Sequence, residues 1–88
     1  MKVEFLSSFN KDISKLSSSP VRKSLCKTIL ALESAQSLSE IPNLKKLSGF
    51  TDAYRIRLGD YRLGFFFSNS VVQLARIAHR KDIYKIFP

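Results

Sequence analysis

Residues 54–67 have the sequence YRIRLGDYRLGFFF, running from Tyr54 to Phe67, and this segment decides the fold. Apolar and polar residues alternate on both sides of the Gly59-Asp60 step. Alternation with a period of two, on either side of two residues that accept positive φ, is typical of a β-hairpin. The sequence therefore predicts two antiparallel strands that are joined at Gly59-Asp60.

The same alternation assigns the side chains of the hairpin to two faces of the sheet. One face carries the apolar set Tyr54, Ile56, Leu58, Tyr61, Leu63, Phe65 and Phe67. The opposite face carries Arg55, Arg57, Arg62, Gly64 and Phe66. If the apolar set forms one core, then Arg55, Arg57 and Arg62 lie together on the other side. Three guanidinium groups on a rigid hairpin are predicted to bind a polyanion.

The size and charge of the chain are those of one small basic domain. Its 88 residues predict a single domain over residues 1–88. The net charge is +8, from fifteen Lys and Arg against seven Asp and Glu, and most of the excess lies in the second half. Such a balance indicates a nucleic acid, an acidic protein segment, or both as partner. Ordinary solubility charge is the alternative interpretation.

The cysteine and hydropathy patterns indicate a reducing compartment and no membrane. Cys26 is the only cysteine, so an intrachain disulfide is excluded and a cytoplasmic location is expected. No run approaches the roughly 20 apolar residues of a membrane span. The first residues enter strand-like sequence directly, and no signal peptide is expected. Cys26 itself is predicted to be a small buried side chain.

The segments before the hairpin predict a strand and two helices. Residues 2–6 are typical of a short strand, and a helix is expected from Ser7 or Ser8 to about Leu16. A second helix is predicted from about Pro20 to Gln36, with Ser19 as its N-cap. Residues 37–52 form a connector in which residues 44–47 are expected to be a helical turn or a loop. Its Lys45-Lys46 pair is either solvated or an extension of the basic surface.

The segment after the hairpin completes the predicted sheet. Residues 71–78 are apolar at both parities, which favours a central strand and leaves the face of Arg76 unassigned. The tail is expected to end in a short helical turn. The predicted order is therefore β-α-α-β-β-β. This order indicates an α+β fold with a mainly antiparallel, four-stranded sheet and a two-helix hairpin packed on one face.

The chemistry-bearing residues indicate phosphate chemistry. The sequence has no P-loop, nucleophile elbow, metal-ligand spacing or suitable carboxylate pair. What remains is the arginine hairpin with His79, Arg80 and Tyr84 near the end of the chain. This set suits RNA cleavage by attack of a 2′-OH on the adjacent phosphate, because fixed guanidinium groups neutralise the phosphorane. His79 is a candidate acid or base, and Tyr84 a stacking group or weak acid. No metal or cofactor is required.

Three segments together carry a family resemblance. They are LSGF at 47–50, the arginine hairpin, and HRKDIY at 79–84. With the opening strand and the helical hairpin, they make essentially the whole chain resemble the RelE/ParE superfamily of toxins from type II toxin–antitoxin pairs. The resemblance implies a sheet backed by two helices and a cognate antitoxin that neutralises the toxin. In the RelE-like branch it also implies ribosome-dependent cleavage of mRNA.

The resemblance also implies roles for particular residues. The basic pair of the first hairpin strand falls on Arg55 and Arg57, and the phosphate-binding arginine of the next strand on Arg62. The late arginine falls on Arg80 and the terminal tyrosine on Tyr84. Some RelE-type enzymes have lysines at the first pair, one of them proposed as the general base.

Arginine keeps its proton at cellular pH, so here the role of general base would pass to another group. His79 is one candidate. His79 and Arg80 are adjacent, and on a regular strand they would face opposite ways. Both reach one site only if the strand ends or bulges there.

Three functional hypotheses stay open at this point. The leading one is a ribosome-dependent endoribonuclease acting on mRNA. The second is a ParE-like toxin that inhibits DNA gyrase by binding, for which His79, Arg80 and Tyr84 would be dispensable. The third is a non-toxic nucleic-acid-binding domain. Both toxin hypotheses predict an acidic antitoxin segment that folds on binding.

Overall fold

The hairpin belongs to a five-stranded sheet. A computed structural model describes residues 1–88. The elements are β1 (Lys2–Phe5), α1 (Ser7–Lys15), α2 (Ser19–Ser34), a 3₁₀ turn (Leu38–Glu40), β2 (Leu44–Lys46), β3 (Ala53–Leu58), β4 (Tyr61–Ser68), β5 (Val71–His79) and α3 (Ile83–Ile86). The strand order is β1-β5-β4-β3-β2, with β1 parallel to β5 and all other pairs antiparallel. The predicted α+β class is confirmed.

The predicted count of four strands is wrong. Residues 44–46, for which a helical turn or a loop was expected, form the edge strand β2 and pair antiparallel with β3. Asn43 turns the chain into this strand with φ 62°, and its carbonyl accepts a hydrogen bond of 3.1 Å from the Arg57 backbone N–H. Three residues are too few for a period of two to be recognised, and the pairing depends on a partner ten residues further along the chain.

The predicted hairpin and its two faces are confirmed. Leu58 pairs with Tyr61, so the loop consists of Gly59 and Asp60, and only Gly59 has positive φ, at 62°. That value needs no Cβ to be accommodated, which is why glycine suits the position. The alternating apolar side chains lie on the helix side of the sheet, where Ile56, Leu63 and Phe65 are fully buried in the main core.

The two helices cover that face. The Ser18 hydroxyl accepts a 3.4 Å hydrogen bond from the Val21 N–H, so α2 is capped one residue earlier than predicted. Leu25 and Leu32 of α2 pack into the main core. Cys26 is exposed, which corrects the prediction that it is buried. It follows Leu25 around the helix and lies at the side of an open groove between α1 and α2. None of the helices is long and apolar enough to span a bilayer.

Helix α1 completes an edge of the sheet that no strand covers. Strand β1 ends at Phe5, whereas its partner β5 continues to His79. Beside this continuation, the Ser8 hydroxyl donates to the Ala75 carbonyl at 2.6 Å, and the Ile77 N–H donates to the Asp12 carboxylate at 3.0 Å. Residues four apart lie on the same side of a helix, so Ser8 and Asp12 together supply the partners that a strand would supply.

The Asp12 carboxylate also holds Arg76, whose face the sequence left unassigned. The guanidinium donates two hydrogen bonds to it, at 2.8 and 3.1 Å. These hydrogen bonds raise the pKa of Arg76 above its ordinary value, so the side chain stays charged wherever the protein is folded. Arg76 is therefore a structural cation that ties β5 to α1.

The other face of the sheet has a small second core under α3. Ala53, Ala75, Ile83 and Phe87 are buried together there, with Phe66 against them. A Cβ on Gly64 would lie 2.5 Å from the Phe87 ring, so only glycine allows this close approach. The contact anchors the segment that carries Tyr84 onto the face that carries the arginines.

Replacing Asp12 by Ala should lower the free energy of unfolding by about 2–3 kcal/mol, because Arg76 and the Ile77 N–H both lose their acceptor. The measurement is urea denaturation. Lys11→Ala, one residue earlier and exposed, is the matched control and should change stability by less than about 0.5 kcal/mol. Equal effects of the two substitutions would contradict the structural role of Asp12.

Replacing Gly64 by Ala should cost about 2 kcal/mol, because the added methyl group displaces the Phe87 ring. A double-mutant cycle with Phe87→Ala measures this coupling. In the Phe87→Ala background, the added methyl group should cost much less. A cost that is the same in both backgrounds would show that the contact does not limit residue 64.

Candidate functional site

A basic cleft opens on the sheet face beside α3. It has a volume of about 300 Å³ and is lined by Asn43, Lys45, Arg55, Arg57, Arg62 and Tyr84. Four of these six side chains are cationic and none is a carboxylate. The cleft is thus a concentrated positive site on the open side of the sheet.

Strand register brings the cations of the basic cleft together. Arg57 of β3 lies directly opposite Arg62 of β4, and Arg55 lies directly opposite Lys45 of β2. Like charges in directly opposed positions of a sheet repel and destabilise it. A bound anion would relieve this repulsion, so the arrangement is typical of a site for phosphate groups.

The guanidinium groups are held by neutral partners. Arg57 donates to the Asn43 side-chain oxygen at 3.1 Å, and Arg62 donates to the carbonyls of Gly59 and Tyr61 at 2.8 and 2.9 Å. None of the three cleft arginines forms an ion pair. Each guanidinium has five N–H donors, so each keeps donors and its full charge for a ligand.

Tyr84 forms one wall of the basic cleft. Its ring lies over Arg55, with the guanidinium carbon 4.6 Å from the ring centroid, a cation–π geometry. The residue is 72% exposed, which is unusual for a large aromatic side chain. An exposed ring beside fixed cations is the arrangement by which proteins stack a nucleic-acid base next to a bound phosphate.

The structure brings together four of the six residues that the sequence singled out, namely Arg55, Arg57, Arg62 and Tyr84. His79 lies elsewhere. It pairs with Tyr61 and packs its ring 5.6 Å from the Tyr61 ring, on the helix side of the sheet. Its Nδ1 accepts a 3.2 Å hydrogen bond from the Lys81 N–H. His79 therefore does not line the basic cleft.

Arg80 follows the end of β5 and lies against the hairpin loop. Its backbone N–H donates to the Asp60 carbonyl at 2.7 Å, and its guanidinium lies 3.7 Å from the Asp60 carboxylate. Arg80 therefore does not line the basic cleft. β5 ends at His79, as one of the two expected conditions required, whereas its bulge falls at Ala75, where the register jumps from Leu74 to Arg76. The end of the strand does not bring His79 and Arg80 into the basic cleft.

The sequence did not assign Asn43 and Lys45 to the site, although both line the basic cleft. The Lys45-Lys46 pair was open to two interpretations, because without β2 neither lysine had a face. Strand pairing directs Lys45 to the side of Arg55 and Lys46 to the side of Tyr54. The signal that would have found them is the turn residue Asn43, two residues before a basic pair that lies in the connector leading to the hairpin.

No family model matches the chain. Toxin RelE3 of Methanocaldococcus jannaschii is 35% identical over 89 residues, and the alignment covers 100% of both chains.

The chain belongs to the RelE family of toxins.

Solved structures of RelE toxins have the same fold. The toxin in a RelB–RelE antitoxin–toxin complex from Methanococcus jannaschii superposes with a TM-score of 0.83 at 33% identity, covering 97% of this chain and 99% of that one. The intact E. coli RelBE complex gives a TM-score of 0.68 at 30% identity, covering 89% and 94%. The resemblance inferred from the three sequence segments is confirmed, and this RelE-family chain is a toxin of the type II class.

Removing one cleft charge should weaken binding of a short single-stranded DNA oligonucleotide, which lacks the 2′-OH and stays intact. Arg57→Gln should reduce affinity about 5–10-fold and lower the slope of log K against log salt by about 0.7, as expected for one lost phosphate contact. Lys23→Gln removes the same charge from the exposed surface of α2 and is the control. Fluorescence anisotropy at several salt concentrations measures both. Equal losses would mean that only net charge matters.

Proposed function

We propose that this RelE-family toxin is a ribosome-dependent endoribonuclease that cleaves mRNA by attack of a 2′-OH on the adjacent phosphate. The observation that carries the proposal is the basic cleft itself. Three arginines and a lysine converge there without a carboxylate to neutralise them, beside an exposed tyrosine ring. This arrangement supports binding of a phosphate with a base stacked beside it.

The reaction makes a new bond from the 2′-oxygen to phosphorus and breaks the bond from phosphorus to the 5′-oxygen. The products are a 2′,3′-cyclic phosphate and a 5′-hydroxyl. A pentacoordinate phosphorane, which carries more negative charge than the starting diester, lies between the two states. Arg55, Arg57 and Arg62 would bind this charge more strongly than that of the substrate, and such differential binding lowers the barrier.

The openness of the basic cleft supports a requirement for the ribosome. In-line attack needs the 2′-oxygen, phosphorus and 5′-oxygen in a row, and a free RNA strand rarely adopts that geometry. The cleft contains cations and one aromatic ring, but it does not enclose a nucleotide. A ribosome that holds the mRNA strand would supply the orientation, while the toxin would supply the charge.

We also propose that an antitoxin neutralises the toxin. The net charge of +8 favours an acidic partner segment. The relatives from Methanococcus jannaschii and E. coli were each solved as complexes with RelB. A RelB-like chain is therefore the partner that we expect to copurify with this toxin.

The decisive experiment is cleavage of mRNA on purified ribosomes, with mapping of the new ends. The unmodified toxin should produce fragments with 5′-hydroxyl ends. Arg62→Ala should slow cleavage about 10²-fold or more, as the loss of one preorganised donor does in other enzymes. His79→Ala should slow it less than about threefold, since His79 lies on the other face of the sheet.

A supercoiling assay with DNA gyrase runs in parallel. Intact mRNA together with inhibited gyrase would replace the ribonuclease proposal with the ParE-like alternative. Intact mRNA, active gyrase and unimpaired growth on expression would favour the third hypothesis, a nucleic-acid-binding domain without toxicity.

A further inference from the structure

Asn43 is the lining residue of the basic cleft that carries neither a charge nor a ring, and it contacts one arginine twice. Its backbone carbonyl accepts a 3.1 Å hydrogen bond from the Arg57 backbone N–H. Its side-chain oxygen accepts a second hydrogen bond, also of 3.1 Å, from the Arg57 guanidinium. Asn43 thus holds both ends of Arg57, the main chain and the charged group in the cleft.

Strand register makes these contacts important. Arg57 lies directly opposite Arg62, so the two guanidinium groups repel each other. Arg62 donates to the carbonyls of Gly59 and Tyr61. Arg57 donates instead to Asn43, in the turn before β2. Each arginine is therefore held by a different set of neutral acceptors, and both keep their charge for one anion.

The backbone conformation explains why asparagine suits position 43. The φ angle of 62° lies in the left-handed region, which glycine and asparagine adopt most readily. Glycine would keep the turn but has no side-chain acceptor. Aspartate would keep an acceptor, but its carboxylate would pair with Arg57 and cancel the charge that attracts a phosphate. Asparagine combines the turn conformation with a neutral acceptor.

We propose that Asn43 is a positioning residue, which acts through Arg57 by fixing that guanidinium before the RNA binds. This inference rests on the proposed ribonuclease function. A free arginine side chain loses rotamer freedom when it binds a ligand. A guanidinium that is already fixed avoids this cost and stabilises the developing charge of the phosphorane more effectively. In this role Asn43 takes no part in the making or breaking of bonds.

The test compares the same substitution at two exposed turns. Asn43→Gly removes the acceptor of Arg57, whereas Asn69→Gly makes the change at φ 51° between β4 and β5, outside the cleft. In single-turnover cleavage of ribosome-bound mRNA, Asn43→Gly should lower the maximal rate about 10-fold, because the guanidinium is no longer oriented. The toxin concentration at half-maximal rate should change less than about threefold, because the charge is unchanged. Asn69→Gly should match the unmodified toxin, and thermal unfolding checks that both variants fold.

Two further variants separate positioning from charge. In the Arg57→Gln background, Asn43→Gly should slow cleavage by less than about twofold, because the group that it positions is gone. Asn43→Asp keeps the turn and an acceptor but adds a negative charge. It should weaken binding of the single-stranded DNA oligonucleotide about 5–10-fold and lower the salt slope by about 0.7, as Arg57→Gln does. Asn43→Gly should leave that slope unchanged.

Other outcomes overturn the inference. Cleavage by Asn43→Gly at the full rate would mean that Arg57 needs no partner. Equal slowing with and without the Arg57 guanidinium would mean that Asn43 acts independently of it. An unchanged salt slope for Asn43→Asp would mean that residue 43 does not pair with Arg57 in solution. Failure of the unmodified toxin to cleave ribosome-bound mRNA would instead overturn the proposed function, and the positioning role with it.

Discussion

The register of the β3–β4 hairpin is the constraint on which the rest of the structure depends. Side chains alternate between the faces of a sheet, so a slip by one residue would exchange the two faces. The helix side prevents that slip, because Ile56, Leu63 and Phe65 are fully buried beneath α1 and α2. Burying these side chains therefore also determines where the arginines point. Core packing and the charge of the basic cleft are two results of one pattern.

The cations of the basic cleft lie in positions where their mutual repulsion destabilises the folded sheet. Arg57 faces Arg62, and Lys45 faces Arg55, across adjacent strands. Their nearest fixed partners are an amide oxygen, two carbonyls and an aromatic ring, none of which cancels a charge. Arg76 of the same sheet differs from these cations, because it forms an ion pair with the Asp12 carboxylate and stabilises the contact between β5 and α1. A carboxylate partner thus distinguishes the structural arginine of this sheet from the three arginines of the basic cleft.

Much of the fold and the centre of the site were predictable, because they rest on local patterns. The period of two between Tyr54 and Phe67 predicted the hairpin, its loop and the shared face of Arg55, Arg57 and Arg62. The edge strand β2 was not predictable, since three residues carry no period, and Lys45 was therefore left without a face. The face of His79 follows from the register of β5, which shifts at Ala75. A shift in register between two strands cannot be predicted from residues 79 and 80 alone.

The parallel pairing of β1 with β5 has a consequence for how the chain acquires its shape. Lys2 aligns with Val71 and Phe5 with Leu74, so the first strand has no partner until nearly the whole chain exists. During synthesis β1, α1 and α2 leave the ribosome before the strand with which β1 pairs has been made. The long chain segment between β1 and β5 must then close into a loop before the contacts between the two strands can form. The sheet can therefore be completed only when synthesis of the chain is nearly finished. Fragments that end before residue 71 lack the partner strand of β1 and cannot form the native topology.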